Sequence, residues 1–409
     1  MRHDDIAVTG TGLVTPAGIG IDATWQGLVA GRPTASTDPE LTHLDVDFTC
    51  RVPDFDAGRL LGRSLSWRLD RCTQLALVAA REAVADAGLD IGEWDPTRVA
   101  VILGVGSNSL ERYPQEFGRY NDGRANRMSP LAIVRSVPSM VPAEVTLDLG
   151  TRGPSLSVAT ACASGTTALG IARDLLRGGA CDIAVTGGAE SGCHPGVVAC
   201  FQQMRALSRR THDPAGASRP FDRDRDGFVL GEGAGILVLE RAAHAAARSA
   251  RPRAVLAGFG ASSDAHDISA PHPQGRGAAD AMRAALRDAG LSPADIDHVN
   301  AHGTSTLLND TAESHALHTV FGTPPSVTAN KSVLGHALGA SGGIEAAVTV
   351  LTLQHQTIPP TANLHTPDPN IDLDVVRKSP RPSPIRAALS NSFGFGGQNA
   401  VSLFTTTTS

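Results

Sequence analysis

Apolar residues occur along this chain in short, nearly continuous runs rather than in strict alternation with polar residues. Such runs are typical of strands that are buried on both faces of a sheet. Between them lie longer stretches in which apolar residues recur every three or four positions, as in helices that bury one face. This succession of strands and helices predicts an α/β fold with largely parallel sheets. The predicted strands cover residues 6–9, 99–103, 156–159, 183–186, 236–239, 254–259, 299–301 and 327–329.

Two helical patterns are clear enough to give their limits. Residues 70–87 and 278–289 each carry an apolar stripe, and each is followed by a glycine, which commonly ends a helix. No linker rich in Pro, Gly or Ser divides the chain, so we expect one compact unit.

A weak internal repeat indicates two similar halves within that unit. The triplet Ala-Ser-Gly occurs at residues 163–165 and again at 340–342, and both triplets open a helical pattern of small residues after a strand and a turn. We therefore expect an N-terminal half, residues 1–250, and a C-terminal half, residues 251–409.

Composition restricts the classes of function. Of the 409 residues, 41% are hydrophobic and 19% are charged, and the net charge is −6, so no basic excess is present to bind nucleic acid. No apolar run reaches the ~18 residues that a membrane-spanning helix needs. Because the sequence also begins without an apolar leader, we expect a cytoplasmic protein that binds no membrane and keeps its six cysteines reduced. None of these cysteines has the spacing of zinc ligands, so we expect no metal.

Cys162 is the first candidate for chemistry. It lies in the segment Val158-Ala-Thr-Ala-Cys-Ala-Ser-Gly165, where a strand-like run meets a helical pattern of small residues. We therefore predict a thiol on the first turn of a helix, where the helix dipole and free backbone N–H groups favour thiolate. This geometry suits a nucleophile that carries an acyl group. Taken alone, the residue fits equally well a buried cysteine that packs as a small apolar side chain.

Two histidine motifs in the second half of the chain favour the interpretation of Cys162 as a nucleophile over that of a structural cysteine. His302 follows one predicted strand, and His336 follows the next in the segment Lys331-Ser-Val-Leu-Gly-His. Ligands of α/β sheets bind at the carboxyl ends of strands, so these imidazoles and Cys162 form a candidate site. The glycine-rich segment 391–399 offers backbone N–H groups of the kind that an oxyanion hole needs, although a tight hairpin explains it equally well.

Three other motifs are incomplete. The Gly-Thr-Gly of residues 10–12 lacks the third glycine of a dinucleotide-binding loop. The aspartate-rich segment 222–227 imitates a calcium loop, but glycine stands where the closing glutamate belongs. Ser341 lies in a G-x-S-x-G pattern of the serine hydrolases, yet no apolar strand immediately precedes it. We expect none of the three to carry the function.

The complete set of motifs resembles one family, the elongating β-ketoacyl-acyl carrier protein synthases. The chain has a cysteine, two histidines, a lysine and a glycine-rich loop in the family's order, at Cys162, His302, Lys331, His336 and 394–397. The resemblance runs from residues 8–16 to 393–399 and includes segments 218–227 and 231–235. It implies a thiolase fold, with five layers (αβαβα) from two similar halves, and a homodimer or a heterodimer with a homologous subunit.

The reaction that the resemblance implies is a decarboxylative Claisen condensation. Cys162 would take an acyl chain from an acyl carrier protein as a thioester. Malonyl-carrier protein would then lose CO2 and attack it, extending the chain by two carbons. His302 and His336 would promote decarboxylation and stabilise the enolate through Nε2 as neutral donors, while Lys331 and Glu345 would hold the electrostatics of the cluster. The chain itself would bind no cofactor, because the substrates arrive on the carrier's phosphopantetheine.

Other residues match family positions around that site. The N–H groups of Cys162 and Phe395 resemble the oxyanion hole, and Phe395 and Phe393 belong to the family's gating segment. Thr304 and Thr306 resemble positions that hydrogen-bond the phosphopantetheine arm.

Arginines predict where the carrier protein docks. The carrier is acidic and so is this chain, so docking needs a local basic patch. Arg68 belongs to an arginine-rich segment near residue 70, and Arg127 and Arg205 match family positions near the pocket entrance. A solvated arginine surface explains these residues equally well.

Several alternatives stay open. Leu131 and Ala132 stand where many fatty-acid-elongating enzymes carry bulky aromatics, with the charged Arg135 nearby, so both fatty-acid and polyketide elongation fit the sequence. A non-catalytic partner subunit that determines chain length would lack the active cysteine, and Cys162 argues against it. A biosynthetic thiolase or an initiating synthase would pair the cysteine with a histidine and either a second cysteine or an asparagine, whereas this chain supplies two histidines. A role limited to decarboxylation within a complex also stays open.

Overall fold

A computed structural model describes residues 5–107 and 112–407 of the chain. Within these residues, ten strands of three residues or more form one mixed sheet, which the two-residue strand Gly18–Ile19 extends. The ten strands are β1 (Ile6–Thr15), β2 (Val99–Gly104), β3 (Ser155–Val158), β4 (Ile183–Ser191), β5 (Glu232–Arg241), β6 (Ala254–Ser263), β7 (His298–Asn300), β8 (Ser326–Thr328), β9 (Ala387–Gly394) and β10 (Gln398–Thr405).

The α-helices of the same residues lie mostly between these strands. They are α1 (Ile21–Val29), α2 (Ala57–Leu61), α3 (Arg63–Ser66), α4 (Arg71–Asp86), α5 (Arg112–Asn121), α6 (Ala132–Ser136), α7 (Met140–Leu149), α8 (Ser164–Arg177), α9 (Pro195–Gln203), α10 (Ala242–Ala247), α11 (Arg276–Ala289), α12 (Leu307–Phe321), α13 (Lys331–Leu334) and α14 (Ser341–His355). The two predicted helices correspond to α4 and α11.

The order of the strands repeats within the sheet. Across the sheet they run β8-β7-β9-β10-β6-β1-β5-β4-β2-β3. The N-terminal strand set (β1–β5) and the C-terminal strand set (β6–β10) therefore have the same internal order: third, second, fourth, fifth, first. The two sets meet where Ala7 and Val8 of β1 pair with Val255 and Ala254 of β6.

Helices form three layers around the two strand sets. α8 and α14 pack against each other and against strands of both sets, so they make the central layer. α4 and α7 cover the outer face of the N-terminal strand set, whereas α11, with α12 against it, covers the C-terminal strand set. The predicted αβαβα fold is thereby confirmed.

The predicted direction of the strands is wrong. Parallel pairing is confined to the two outer parts of the sheet, among β2, β3 and β4 and among β7, β8 and β9. From β9 through β10, β6, β1 and β5 to β4, each strand pairs antiparallel with the next. Burial on both faces, rather than strand direction, removes the alternation of apolar and polar residues. The hydrophobic pattern therefore located these strands without indicating how they pair.

Paired glycines explain the Gly-Thr-Gly motif near the N-terminus. A Cβ on Gly10 or Gly12 would lie 2.2 or 2.0 Å from carbonyl oxygens of α4. In the C-terminal strand set, a Cβ on Gly258 or Gly260 would lie 2.3 or 2.1 Å from carbonyl oxygens of α11. These glycines let a helix pack directly onto the first strand of each set, and β1 continues through the motif to Thr15.

Other properties of the described residues bear on function. No helix among them is long and apolar enough to cross a membrane. Across residues 5–107 and 112–407, no three His, Cys, Asp or Glu side chains are grouped to hold a metal ion. All six cysteines are free thiols.

Candidate active site

Cys162 lies between β3 and α8, before the helix rather than on its first turn. α8 begins at Ser164, and Ala161 adopts a left-handed φ of 49°, which turns the chain sharply. Ser164 stabilises the turn, because its hydroxyl accepts a hydrogen bond from the Thr160 N–H (2.9 Å) and donates one to the Ala161 carbonyl (2.6 Å). A strained and braced turn therefore holds the cysteine.

The glycine-rich segment forms the tip of the β9–β10 hairpin and also lies against Cys162. The segment is therefore a tight hairpin, as one explanation expects, and its backbone lies beside the thiol. The backbone N–H of Phe395 lies near the Cys162 sulfur and acts to lower the pKa of the thiol. Gly394 permits this contact, because a Cβ there would lie 2.8 Å from the Thr160 carbonyl oxygen and 3.1 Å from the Cys162 nitrogen. The hairpin thus brings a backbone donor to the thiol.

His302 and His336 come from loops that follow the parallel strands β7 and β8. Their rings lie edge to face, with centroids 5.4 Å apart. Both side chains are buried. Together with Cys162 they line one cavity of about 330 Å³. Three residues that are distant in the sequence therefore meet in a single site.

Lys331 joins His302 to an acidic side chain. Its Nζ contacts the His302 Nδ1 (3.2 Å), the His302 carbonyl oxygen (2.7 Å) and a carboxylate oxygen of Glu345. An ammonium group has three protons to donate and accepts no hydrogen bond. Nδ1 of His302 is therefore the acceptor, which leaves the ring proton on Nε2. The lysine and glutamate that the sequence predicts as partners are in contact.

His336 has a different partner at the same ring position. Its Nδ1 lies 3.0 Å from the hydroxyl oxygen of Ser341. Ser341 is buried at the start of α14 and does not line the cavity with Cys162. The serine therefore contacts a histidine of the site without facing the space in which a substrate would bind, which argues against a serine hydrolase.

Burial governs the ionisation of the site. It raises the pKa of Cys162 to about 11, although Lys331 and the Phe395 N–H act in the opposite direction. Burial also holds the pKa of His302 and of His336 well below the usual range, and the nearby Lys331 charge adds to this effect. Both imidazoles are therefore neutral near pH 7. Burial therefore favours the protonated thiol in the resting protein, in the direction opposite to that predicted from the sequence.

Aromatic rings cover the cysteine and the histidines. The ring centroids of Phe393 and His302 are 5.8 Å apart. Phe395 stacks on Phe201 with a centroid distance of 6.3 Å. Phe228 contacts the His336 ring edge to face at 5.3 Å. Both predicted phenylalanines also line the cavity.

Thr304 and Thr306 lie along the wall of the same cavity. Their hydroxyl oxygens are 2.9 Å apart, and the Thr306 hydroxyl also accepts from the Asn309 N–H at the start of α12. Both threonines therefore share a cavity with Cys162 and the two histidines.

The three predicted docking arginines do not form one cluster at the cavity. Arg205 lines the cavity and is exposed. Arg68 forms an ion pair with Glu144 at 3.0 Å, and Arg127 is exposed at the end of a short 3-10 turn. Only Arg205 therefore lies at the candidate site itself.

No motif in the sequence points to Glu313. This buried carboxylate accepts hydrogen bonds from the N–H groups of His302 (2.9 Å) and Gly303 (2.8 Å) and from the amide of Asn391 (3.1 Å). It joins the histidine loop to β9. An acidic residue within a helix is normally solvated, so only the tertiary structure shows this role.

Comparisons with known proteins agree with this geometry. Residues 3–245 match the family "Beta-ketoacyl synthase, N-terminal domain", and residues 253–365 match "Beta-ketoacyl synthase, C-terminal domain". The chain is similar to "3-oxoacyl-[acyl-carrier-protein] synthase 2" of Synechocystis sp., with 41% identity over 98% of this chain and 97% of that protein.

Solved structures are similar over the same length. One is described as "the ishigamide ketosynthase/chain length factor", with a TM-score of 0.93, 35% identity, and coverage of 99% of this chain and 100% of that one. Another is a type II PKS acyl-carrier protein in complex with its ketosynthase bound to the hexaketide. Its TM-score is 0.90 and its identity is 29%, with coverage of 99% and 100%.

Proposed function

Because this chain belongs to the β-ketoacyl synthase family, we propose that it is a 3-oxoacyl-[acyl-carrier-protein] synthase of fatty-acid or type II polyketide elongation. The family resemblance of the sequence is thereby confirmed, and the chain is a condensing acyltransferase. The observation that carries the proposal is the meeting of one thiol and two neutral imidazoles, those of Cys162, His302 and His336, in a single cavity.

In the first half-reaction, Cys162 takes the acyl chain. Its sulfur attacks the thioester carbonyl of an acyl-carrier protein, the carbon–sulfur bond to phosphopantetheine breaks, and the thiol proton passes to the leaving pantetheine sulfur. The N–H groups of Cys162 and Phe395 would stabilise the developing oxyanion. The contact of the Phe395 N–H with the sulfur and the strained turn at Ala161 support this assignment.

In the second half-reaction, malonyl-carrier protein loses CO2. The electron pair of the breaking carbon–carbon bond forms an enolate, whose oxygen would accept hydrogen bonds from Nε2 of His302 and His336. The enolate carbon attacks the thioester on Cys162, and the released thiolate takes up one proton. Because Lys331 uses its three protons on His302 and Glu345, it keeps Nε2 of His302 a donor.

The phosphopantetheine arm of an acyl carrier protein would bring both substrates, and no cofactor of the chain itself takes part. The hydroxyls of Thr304 and Thr306 in the cavity wall support binding of the arm. Arg205 at the cavity supports docking of an acidic carrier, with Arg68 and Arg127 as more distant contributors.

A second chain of the same family would cover one face of the molecule. Trp67, Ile133 and Leu147 are exposed to 70%, 68% and 71%. β3, which α7 contacts, ends the sheet, and its Leu156 is partly exposed. Apolar patches and open sheet edges of this kind mark protein interfaces. They support a homodimer or a heterodimer with a homologous subunit.

Two further parts of the proposal concern organisation and location. We assign residues 1–250 to a half that carries the nucleophile and 251–409 to a half that carries both histidines, because the two family matches end at 245 and begin at 253. The six free thiols suit the cytoplasmic location that we expect from the sequence.

A panel of acyl-carrier proteins, mixed with malonyl-carrier protein and the enzyme, tests the proposal. Products are followed by intact-protein mass spectrometry, with Cys162→Ala in parallel. We expect a 3-oxoacyl product longer by two carbons that requires Cys162, and the preferred acyl chain separates fatty-acid from polyketide elongation. If no acyl chain reaches Cys162 from any carrier, with or without a homologous partner subunit present, the proposal fails. That outcome would favour a non-catalytic chain-length-determining subunit.

A further inference from the structure

Ser164 and Ser341 occupy equivalent places in the two strand sets. Each is the first residue of a central helix, α8 or α14, and each helix follows the third strand of its set. Each serine is buried. The Ser164 hydroxyl bonds to the backbone of the turn that carries Cys162, whereas the Ser341 hydroxyl reaches Nδ1 of His336 at 3.0 Å.

The two histidines therefore obtain their Nδ1 contacts from different groups. The Nζ of Lys331 contacts Nδ1 of His302. The other two contacts of this Nζ are with the His302 carbonyl oxygen and with Glu345. With these three contacts the ammonium has used its three protons. The Nδ1 of His336 is instead met by a hydroxyl group that, unlike an ammonium, carries no charge.

We propose that Ser341 is a positioning residue for His336, whose hydroxyl donates to Nδ1 and thereby keeps the ring proton on Nε2. The inference rests on the proposed function, in which Nε2 of His336 donates to the enolate. The tautomer of a histidine is set by the hydrogen bond at its other nitrogen. Edge-to-face contact with Phe228 and with His302 fixes the plane of the ring, but neither contact selects the nitrogen that carries the proton.

Removal of the hydroxyl should therefore affect only the second half-reaction. In Ser341→Ala, we expect malonyl decarboxylation to slow about tenfold, which is less than the ~10²-fold loss expected when a proton donor itself is removed, because the His336 ring is retained. Acylation of Cys162 should stay within about twofold of wild type. Ser341→Thr retains the hydroxyl and should restore most of the decarboxylation rate. The matched control is Thr352→Val, which removes a buried hydroxyl that donates to the Val348 carbonyl three turns further along α14.

The pattern of rates separates positioning from general damage. Equal losses of acylation and decarboxylation in Ser341→Ala, or no recovery in Ser341→Thr, would contradict the positioning role. If wild type itself shows no condensation that depends on Cys162, the proposed function fails instead, so the two failures are distinguishable.

A spectroscopic measurement tests the tautomer without any substitution at Ser341. ¹⁵N-histidine labelling of the wild-type chain, with the His336 signals assigned by their loss in His336→Gln, reports which ring nitrogen is protonated. We expect a protonated Nε2 and a bare Nδ1. A protonated Nδ1 would show that the serine accepts rather than donates, and it would overturn the inference even if Ser341→Ala failed to fold.

Discussion

The N-terminal and C-terminal strand sets have the same strand order but place different chemistry at equivalent positions. Ahead of α8, a strained turn carries the thiol of Cys162; ahead of α14, the equivalent region carries the imidazole of His336. In the N-terminal strand set the helix-starting Ser164 bonds to backbone, whereas in the C-terminal strand set Ser341 bonds to a ring. The shared architecture thus fixes the position of the segment before each central helix. The residue in that segment determines its chemical role.

This comparison divides the reaction between the two strand sets. In the proposed reaction, the N-terminal strand set would supply the acyl acceptor, and the C-terminal strand set would supply both groups that stabilise the enolate. The hairpin β9–β10 connects them, since it belongs to the C-terminal strand set and yet brings the Phe395 N–H to the Cys162 sulfur.

The largest effect is expected for Cys162→Ala. Without the thiol no acyl-enzyme forms, so condensation should fall by at least about 10³-fold. Malonyl decarboxylation should persist within about tenfold of wild type, because both imidazoles and Lys331 stay in place. Intact mass measures the acyl-enzyme, and CO2 release measures decarboxylation. Cys200→Ala, at an exposed cysteine, is the control, and condensation that survives in Cys162→Ala would refute the division.

His302→Ala should give the opposite pattern. Loss of the Nε2 donor should slow decarboxylation about 10²-fold, the lower range for a positioned proton donor, while Cys162 is still acylated. The two half-reactions are measured separately, with labelled acyl-carrier protein and with malonyl-carrier protein. His355→Ala, which removes a ring that stacks on Trp25 at the far end of α14, is the control. Equal loss in both half-reactions would show that His302 also acts in the acylation of Cys162, and it would contradict the proposed division.

Gly394→Ala tests the connection that the β9–β10 hairpin makes between the two strand sets. The added Cβ would lie 2.8 Å from the Thr160 carbonyl oxygen, so the hairpin must move away from Cys162. We expect acylation to slow about tenfold, a partial loss of one oxyanion donor, with a smaller change in decarboxylation. At Gly118, an added Cβ meets nothing within 4 Å, so Gly118→Ala is the matched control. An unchanged acylation rate would remove the hairpin from the first half-reaction.

The smallest effect concerns Glu190 at the end of β4, which accepts hydrogen bonds from the Gly106 N–H (2.8 Å) and the Ser107 hydroxyl (2.9 Å). Burial raises its pKa from 4.5 to about 7, so the folded protein binds this proton more tightly than the unfolded chain. Wild type should therefore lose stability as the pH rises from 4.5 to 7, by at most about 3 kcal/mol.

Glu190→Gln does not titrate and should escape this loss. Its free energy of unfolding should rise relative to that of wild type across the same pH range and then level off above pH 7. Urea unfolding at pH 5, 6, 7 and 8 measures the difference, with the exposed Glu93→Gln as the matched control. A difference between Glu190→Gln and wild type that does not change with pH would show that the carboxyl is already ionised at pH 5.

The sequence predicted the fold better than the pairing of its strands. Long apolar runs located eight of the ten main strands, but the predicted limits of β1, β4, β5 and β6 were too short, and β9 and β10 were missed. β9 carries Ser390, Asn391 and Ser392 in buried positions, so it lacks the apolar signal of a strand. Strand direction depends on how the chain returns to the sheet, which the local pattern does not encode.

The candidate site was predicted residue by residue where motifs exist. Cys162, His302, Lys331, His336 and the hairpin residues lie together as expected. The state of the thiol was not predictable, because burial that raises the pKa of Cys162 comes from segments remote in sequence. Ser341 matched a hydrolase pattern and the Ala-Ser-Gly repeat, but neither predicts its contact with His336, which depends on the fold.

Single-turnover condensation tests the central claim most directly. Enzyme already acylated on Cys162 is mixed with malonyl-carrier protein, and the mass of the enzyme, the carrier-bound product and the CO2 are followed together. The account predicts that each acyl group lost from Cys162 yields one CO2 and one carrier-bound chain longer by two carbons. CO2 release while the acyl group stays on Cys162 would contradict it, since the thiol and the two histidines would then not act on one substrate pair in one cavity.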